Sequence, residues 1–183
     1  ELLIAVTPFV YPQTRIDVIY YHPRVLHLGI GCRRNCNPEG VGEYISKVLS
    51  DNRIARSAIK DISTIDLKKD EVLLKDLQSH FGNIEINIYT ASDLEDIEIP
   101  NPSHKVMEVT NVGGVSESTA IRSAGYGQLI LEKQKGRLSE GNDFTFAVAA
   151  DSEAIRRGHI EIVGAGPGDP DLVSGGRPYT LCR

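Results

Sequence analysis

The chain has 183 residues, 40% of them hydrophobic and 25% charged, with a formal net charge of −5. That length supports one core of about 100–150 residues with attached segments. The acidic balance argues against a general nucleic-acid binder, which needs a basic face, and no apolar run approaches the roughly 20 residues that cross a bilayer.

The opening Glu1-Leu2-Leu3-Ile4-Ala5-Val6 lacks the basic leader of a signal peptide, so a cytoplasmic location is expected. Residues 1–13 carry Pro8 and Pro12 and read as an extended connector, as if the chain began inside something larger. Arg15 to Tyr21 is β-branched and aromatic and predicts a strand, which Pro23 separates from a second over Val25 to Ile30. That second strand runs into Gly29-Ile30-Gly31-Cys32-Arg33-Arg34, where two glycines are expected to turn the chain and let a ligand approach the backbone. Strand ends are also where open α/β sheets place their ligands. The third glycine of a dinucleotide fingerprint is missing, which leaves a generic nucleotide binder as the last alternative.

The three cysteines, Cys32, Cys36 and Cys182, do not form a disulfide framework. Cys32 and Cys36 with His22 and His27 lack the paired spacing of a structural zinc site, so no protein-bound metal is expected. Asn37 suits a cap and Pro38 a first helical position; Val41, Tyr44, Ile45, Val48 and Leu49 then make one apolar stripe. A short strand is predicted over Ser63 to Leu67 and a second helix over Lys68 to Phe81, stopped by Gly82. Ile84 to Tyr89 alternates as a half-buried strand, Ala91 to Asp96 reads as a brief helix, and Ser103 to Val109 as another.

Gly113-Gly114-Val115-Ser116 precedes a helix that Ser116 is expected to cap and Gly125 to end. Such a start points N–H groups outward and favours anions. Gln128 to Leu131 and Phe144 to Ala149 read as strands around a lysine-rich hairpin, Lys133 to Asn142. The alternation of strands and helices predicts an α/β fold, a three-layer α/β/α arrangement with a mixed central sheet. The basic clusters Arg33-Arg34, Lys68-Lys69 and Lys133, Lys135, Arg137 suit a small polyanion if they converge. After a polar stretch from Asp151 to Gly158, a new strand, His159 to Val163, ends in Gly164-Ala165-Gly166-Pro167-Gly168-Asp169.

Taken in order, Gly29 to Arg34, Ile65 to Glu71, Gly114 to Ser118, Leu131 to Gly136 and the strand Phe144 to Ala149 resemble the C-terminal domain of the CbiG/CobE family of cobalamin-biosynthesis proteins. Val163 to Ser174 is similar to the opening of a precorrin methyltransferase, although Gly175-Gly176-Arg177-Pro178 stands where that family has a helix. The division implied is a connector and first strand over 1–23, the CbiG/CobE-like domain over 24–150, and a linker with a truncated methyltransferase start over 151–183. The resemblance implies a cobalt-precorrin-5A hydrolase or its C-terminal domain, opening a δ-lactone with release of acetaldehyde. The alternatives are a non-catalytic corrinoid-binding or carrier module of CobE type, and a fragment of a fused precorrin methyltransferase.

A precorrin is an apolar macrocycle fringed with carboxylates, which calls for scattered cations and N–H groups around an apolar cleft. Gly29, Gly31, Cys32, Arg33, Lys68, Gly114, Ser116 and Lys133 are the residues expected to bind it. Glu117 and Glu71 are the candidate bases for activating water, each next to an expected anion-binding element. Cys32 is a weaker candidate nucleophile, because nothing in the sequence puts a base beside it. No cofactor is expected in this chain: cobalt would arrive within the substrate, and S-adenosylmethionine would need the rest of the methyltransferase. Expected partners are the tetrapyrrole and other cobalamin-pathway enzymes, with no nucleic acid and no membrane.

Overall fold

The computed structural model describes residues 2–12, 17–100 and 114–154. β1 (Leu2–Val6) and β2 (Asp17–Tyr21) pair in parallel with each other as a small separate sheet. The main body holds β3 (Leu26–Cys32), α1 (Val41–Asp51), β4 (Ile59–Ile65), α2 (Val72–His80), β5 (Glu85–Tyr89), α3 (Val115–Ser123), β6 (Leu129–Arg137) and β7 (Asp143–Ala150). Its five-stranded sheet has the order β5-β4-β3-β7-β6. β3, β4 and β5 run parallel, while β7 is antiparallel to β3 and β6 to β7. The sheet is mixed, as the sequence predicts.

Two successive crossovers in one direction put α1 and α2 on the same face, because right-handed connections allow no other placement. On that face Leu26, Leu28 and Ile30 of β3 pack with Val41, Ile45 and Leu49 of α1 and Leu73, Leu74 and Leu77 of α2. All nine are at most 1% exposed, which makes this the main core. Full burial of such side chains stabilises by about 1.5–3 kcal/mol each.

The opposite face carries α3, a helix of small and polar residues. It lies so close to β3 that a Cβ added at Gly29 would sit 1.9 Å from the Ser116 carbonyl oxygen and 2.9 Å from the Ala120 nitrogen. Gly29 and Gly31 are therefore strand residues, and the expected sharp turn at them does not occur. Gly29 is required because a helix backbone rests on it.

Several boundaries differ from the sequence expectations. Asn37 does not cap α1; its Oδ1 accepts from the Glu39 N–H at 3.1 Å in a local turn, and the helix starts at Val41 after Gly40 in the left-handed region. Ser116 does not cap α3 either, since Gly114 holds that position and Ser116 lies inside the helix at 1% exposure. α2 starts later than Lys68, which belongs to a short 3₁₀ turn over Asp66–Lys68, with Glu71 at the N-cap position. β4 starts earlier than expected, because Lys60 and Asp61 interrupt its apolar pattern. The first half of the lysine-rich hairpin is strand: β6 continues to Arg137, with two register shifts against β7. Ala91–Leu94 does form a short 3₁₀ helix, with Thr90 and Asp93 making a capping box. The helix expected over 103–109 and the methyltransferase-like stretch over 163–174 lie outside the described residues.

Candidate functional site

The carboxyl ends of β3 and β4 open into two loops, 33–40 and 66–71, and the candidate site lies between them. A cavity of ≈ 440 Å³ is lined there by Arg34, Cys36 and Asn37 from the first loop and by Leu67, Asp70 and Glu71 from the second, among others. Leu67 and Val72 form an apolar part of its wall and are 63% and 64% exposed. The carboxyl ends of parallel strands, with the loops that follow them, are where open α/β sheets place their ligands.

Glu71 is the acid of this cavity that is paired with a lysine. Its side chain is 10% exposed; Oε1 lies 3.7 Å from Lys68 Nζ, one turn earlier, and Oε2 accepts from the Cys36 N–H at 3.3 Å. The Lys68 side chain is 21% exposed, so the pair is partly withdrawn from water. Its attraction is then stronger than that of a surface pair.

The thiols are electrostatically tied to this pair. Burial pushes Cys32, at the end of β3, up to about 12, and the Glu71 charge adds to the rise while Lys68 opposes it. Cys36 is raised by the same burial and by Glu71 and Asp143, and its Sγ lies 3.8 Å from the carbonyl oxygens of Asn37 and Asp143. Both are neutral thiols at physiological pH, which weakens either as a nucleophile.

On one flank the β6–β7 hairpin brings further charge. Asp143 Oδ2 lies 4.0 Å from Arg33 Nη1, and its Oδ1 lies 3.5 Å from Arg137 Nε. The Arg33 side chain is 65% exposed, so this pair is weak and its guanidinium remains open to an anionic ligand. The Arg33 N–H donates to the Asp143 carbonyl at 2.9 Å, which fixes the loop to the hairpin.

Gly31, Gly114 and Ser116 meet where α3 begins. A Cβ at Gly31 would contact Thr145 Oγ1 at 2.8 Å, Val115 Cβ at 3.6 Å and the Ser116 nitrogen at 3.8 Å. Glu117 is fully buried, and its Oε1 accepts from the Lys133 N–H at 3.1 Å. That bond ties α3 to β6 where the strand shifts register. The sequence-predicted residues thus divide: Cys32, Lys68 and Glu71 form one electrostatic cluster with Arg33 on its flank, whereas Glu117 and Lys133 join α3 to the edge strand.

Asp70 and Asp143 were missed as parts of the site, since only the packing of separate loops brings them to Arg34 and Arg137, which the sequence marked as members of basic clusters. A second polar group lies at the other end of the sheet. His27 Nδ1–H donates to Asp61 Oδ2 at 2.8 Å, Ser123 Oγ–H to Asp61 Oδ1 at 2.9 Å, and Asn87 Nδ2–H to Ser123 Oγ at 3.1 Å. Its sequence signal is Asp61, an acid within the otherwise mostly apolar and hydroxyl-bearing β4.

Among the described residues, no helix is long and apolar enough to cross a membrane. The chain is 35% identical over 117 residues to a cobalt-precorrin-5A hydrolase of Priestia megaterium, a match covering 64% of this chain and 31% of the hydrolase. It spans about a third of that relative's length. The fold is shared with the crystal structure of CobE from the cobalamin pathway, at 24% identity and a TM-score of 0.60, covering 68% of this chain and 92% of CobE. It is also shared with a putative cobalamin biosynthesis protein G homologue of Sulfolobus solfataricus, at 21% identity and a TM-score of 0.52, covering 81% of this chain and 44% of that one. The model of the cobalamin synthesis G C-terminal family matches residues 26–149, from the start of β3 to the penultimate residue of β7, and to that family this chain belongs.

Proposed function

We propose that this chain is the C-terminal part of a cobalt-precorrin-5A hydrolase and that the cavity between the 33–40 and 66–71 loops holds the reacting edge of the macrocycle. The observation that carries this reading is Glu71, paired with Lys68, on the wall of a partly apolar cavity, in a domain 35% identical to a hydrolase of that name. Leu67 and Val72 take the apolar ring face. Arg33, Arg34 and the amino end of α3 at Gly114 and Ser116 take its carboxylates. Gly29 and Gly31 let α3 come close enough to present those N–H groups; Cys36 contributes a thiol to the wall, and Cys32 lies at the end of β3.

Glu71 is the general base. It removes a proton from water as the oxygen attacks the lactone carbonyl, and Lys68 stabilises the oxyanion. The acyl C–O bond then breaks, giving a carboxylate on the ring and an alcohol on the two-carbon fragment. Loss of the alcohol proton and cleavage of its C–C bond release acetaldehyde, and the ring carbon takes up the proton. Glu117 holds β6, and with it Lys133, in place. No cofactor of the protein enters; cobalt belongs to the substrate.

The test is mass spectrometry of cobalt-precorrin-5A incubated with this chain, with Glu71→Gln and Glu117→Gln in parallel. Loss of the two-carbon fragment with the native sequence and Glu117→Gln, but not with Glu71→Gln, supports the assignment. Turnover by Glu71→Gln and none by Glu117→Gln transfers the base role to Glu117. The second reading, a carrier without turnover, is favoured by the coverage of 92% of CobE by this same fold. Co-elution of an unchanged substrate with the native chain would establish it.

A further inference from the structure

We propose that the face of the β1–β2 sheet bearing Ile4, Val6, Ile19 and Tyr21 is the surface on which the preceding, N-terminal part of a hydrolase-length polypeptide docks, through an apolar element of its own. The inference rests on family membership and on the fold, and it is independent of the hydrolytic chemistry.

Parallel pairing sets Ile4 beside Ile19 and Val6 beside Tyr21, so the four side chains lie on one face. They are 64%, 54%, 59% and 62% exposed, respectively. On β2 the other face carries Val18 and Tyr20, both half-buried, with Tyr20 stacked on His22 at 5.8 Å. The exposed face has Asp17 at one end and is otherwise apolar from Ile4 to Tyr21.

Parallel sheets are covered on both faces, and a two-stranded ribbon is marginal without further strands or a packed helix. Among the described residues, β1 and β2 pair only with each other. A contiguous exposed apolar face of this kind marks an interaction site. The segment that follows β1 is nevertheless anchored to the main body. The Val10 N–H donates to the Arg53 carbonyl at 2.7 Å and the Ala55 N–H to the Pro8 carbonyl at 2.9 Å, while Phe9 bridges to Ile54. Such anchoring presents the face rather than letting it collapse onto the core.

The occupant follows from chain length and direction. β1 and β2 precede residue 26, where the match to the family model begins, and that model describes the C-terminus of the cobalamin synthesis G protein. The remainder of such a protein therefore lies on the β1 side. Likeness to the longer Sulfolobus structure extends over 81% of this chain, against 68% for the compact CobE. The shared fold thus reaches further in the longer relative.

The experiment compares hydrogen exchange of the β1 and β2 amides in this 183-residue chain and in the product of the complete reading frame. At least 100-fold slower exchange in the longer protein is expected at β1 and β2, with unchanged exchange in the five-stranded sheet. Ile19→Lys in the longer protein should abolish the difference; if that variant unfolds the sheet as well, Ile4→Ser provides the milder test. Equal exchange in the two native-sequence proteins would overturn the proposal, as would a reading frame that encodes no domain upstream of β1. Sedimentation of the 183-residue chain as a dimer that Ile19→Lys dissociates would assign the face to a second copy and overturn it equally.

Discussion

Two carboxylates at opposite ends of the same sheet differ in how completely the protein engages them. Asp61, toward the amino ends of the parallel strands, is 4% exposed and accepts from His27 and Ser123 at 2.8 and 2.9 Å, with Asn87 behind Ser123. Its partners stand on β3 and α3, so strand pairing and helix packing set every distance. Glu71, past the carboxyl ends, stands at the start of α2 beside a cavity and is held at 3.7 Å by Lys68 and at 3.3 Å by one N–H. A buried acid with short donors on both oxygens spends its capacity on the fold. An acid on a cavity wall with two longer contacts keeps capacity for a ligand, and loops on a rigid scaffold are where such groups are placed.

The largest effect expected destroys both ends at once. Gly29 lies between His27 and Cys32 on β3, and Gly29→Val drives a side chain into the α3 backbone. Because a Cβ alone would sit 1.9 Å from the Ser116 carbonyl oxygen, stability should fall by about 4 kcal/mol or more. Chemical denaturation measures it, and an unchanged midpoint would show that α3 does not rest on this strand.

Replacing each acid separately sharpens the contrast. Asp61→Ala leaves His27 and Ser123 buried without their acceptor and should cost about 2–4 kcal/mol of stability. Glu71→Gln should change stability by less than about 1 kcal/mol, yet lower turnover of cobalt-precorrin-5A by about 10²–10⁴-fold. The reverse pattern in denaturation and single-turnover assays would exchange the two roles.

The carboxyl end also has its own pH signature. Cys32 rises in the folded protein from the thiol value of 9.0 to about 12, chiefly through burial. A raised folded value means that the unfolded chain releases the proton first. The associated stability is therefore complete below pH 9, declines as pH rises from 9 toward 12, and is lost above it. Alkylation of Cys32 at pH 8, followed by peptide mapping, should be about 10³-fold slower in the native than in the unfolded protein. Equal rates would mean that the thiol is not withdrawn from water. The smallest effect belongs to the exposed flank: Arg33→Ala should cost under about 0.5 kcal/mol of stability while weakening precorrin retention on a column.

Local pattern made much of this readable. The apolar stripe of α1 and the alternation around β5 follow from the periods of helix and strand, and both elements formed. Lys68 and Glu71, three residues apart, could be picked out as a cation and an acid beside an expected anion site. The pattern failed where tertiary contacts supply what the local chain lacks. β4 contains Asp61, which has a place in a central strand only because His27 and Ser123 meet it there. Residues 133–136 looked like a turn, but β7 offered them a strand partner, and Glu117 accepts the Lys133 N–H at the register shift. Ser116 looked like a cap, and Gly114 instead holds the cap position of a helix that begins at Val115.

The sequence by itself determined the fold class and, among the described residues from β2 to β7, the order of strands and helices, because these depend on periodicity along the chain. Its motifs carried the resemblance to the family, whereas residues 1–13, read as a connector, hold β1. Only the tertiary structure decided that Gly29 serves a helix rather than a turn, that Glu71 lines the cavity while Glu117 is bonded to β6, and that Asp143 lies between Arg33 and Arg137. Those relations depend on which distant segments come within a few ångströms of one another. Contact at that range is set by the packing of whole elements, and no run of neighbouring residues encodes it.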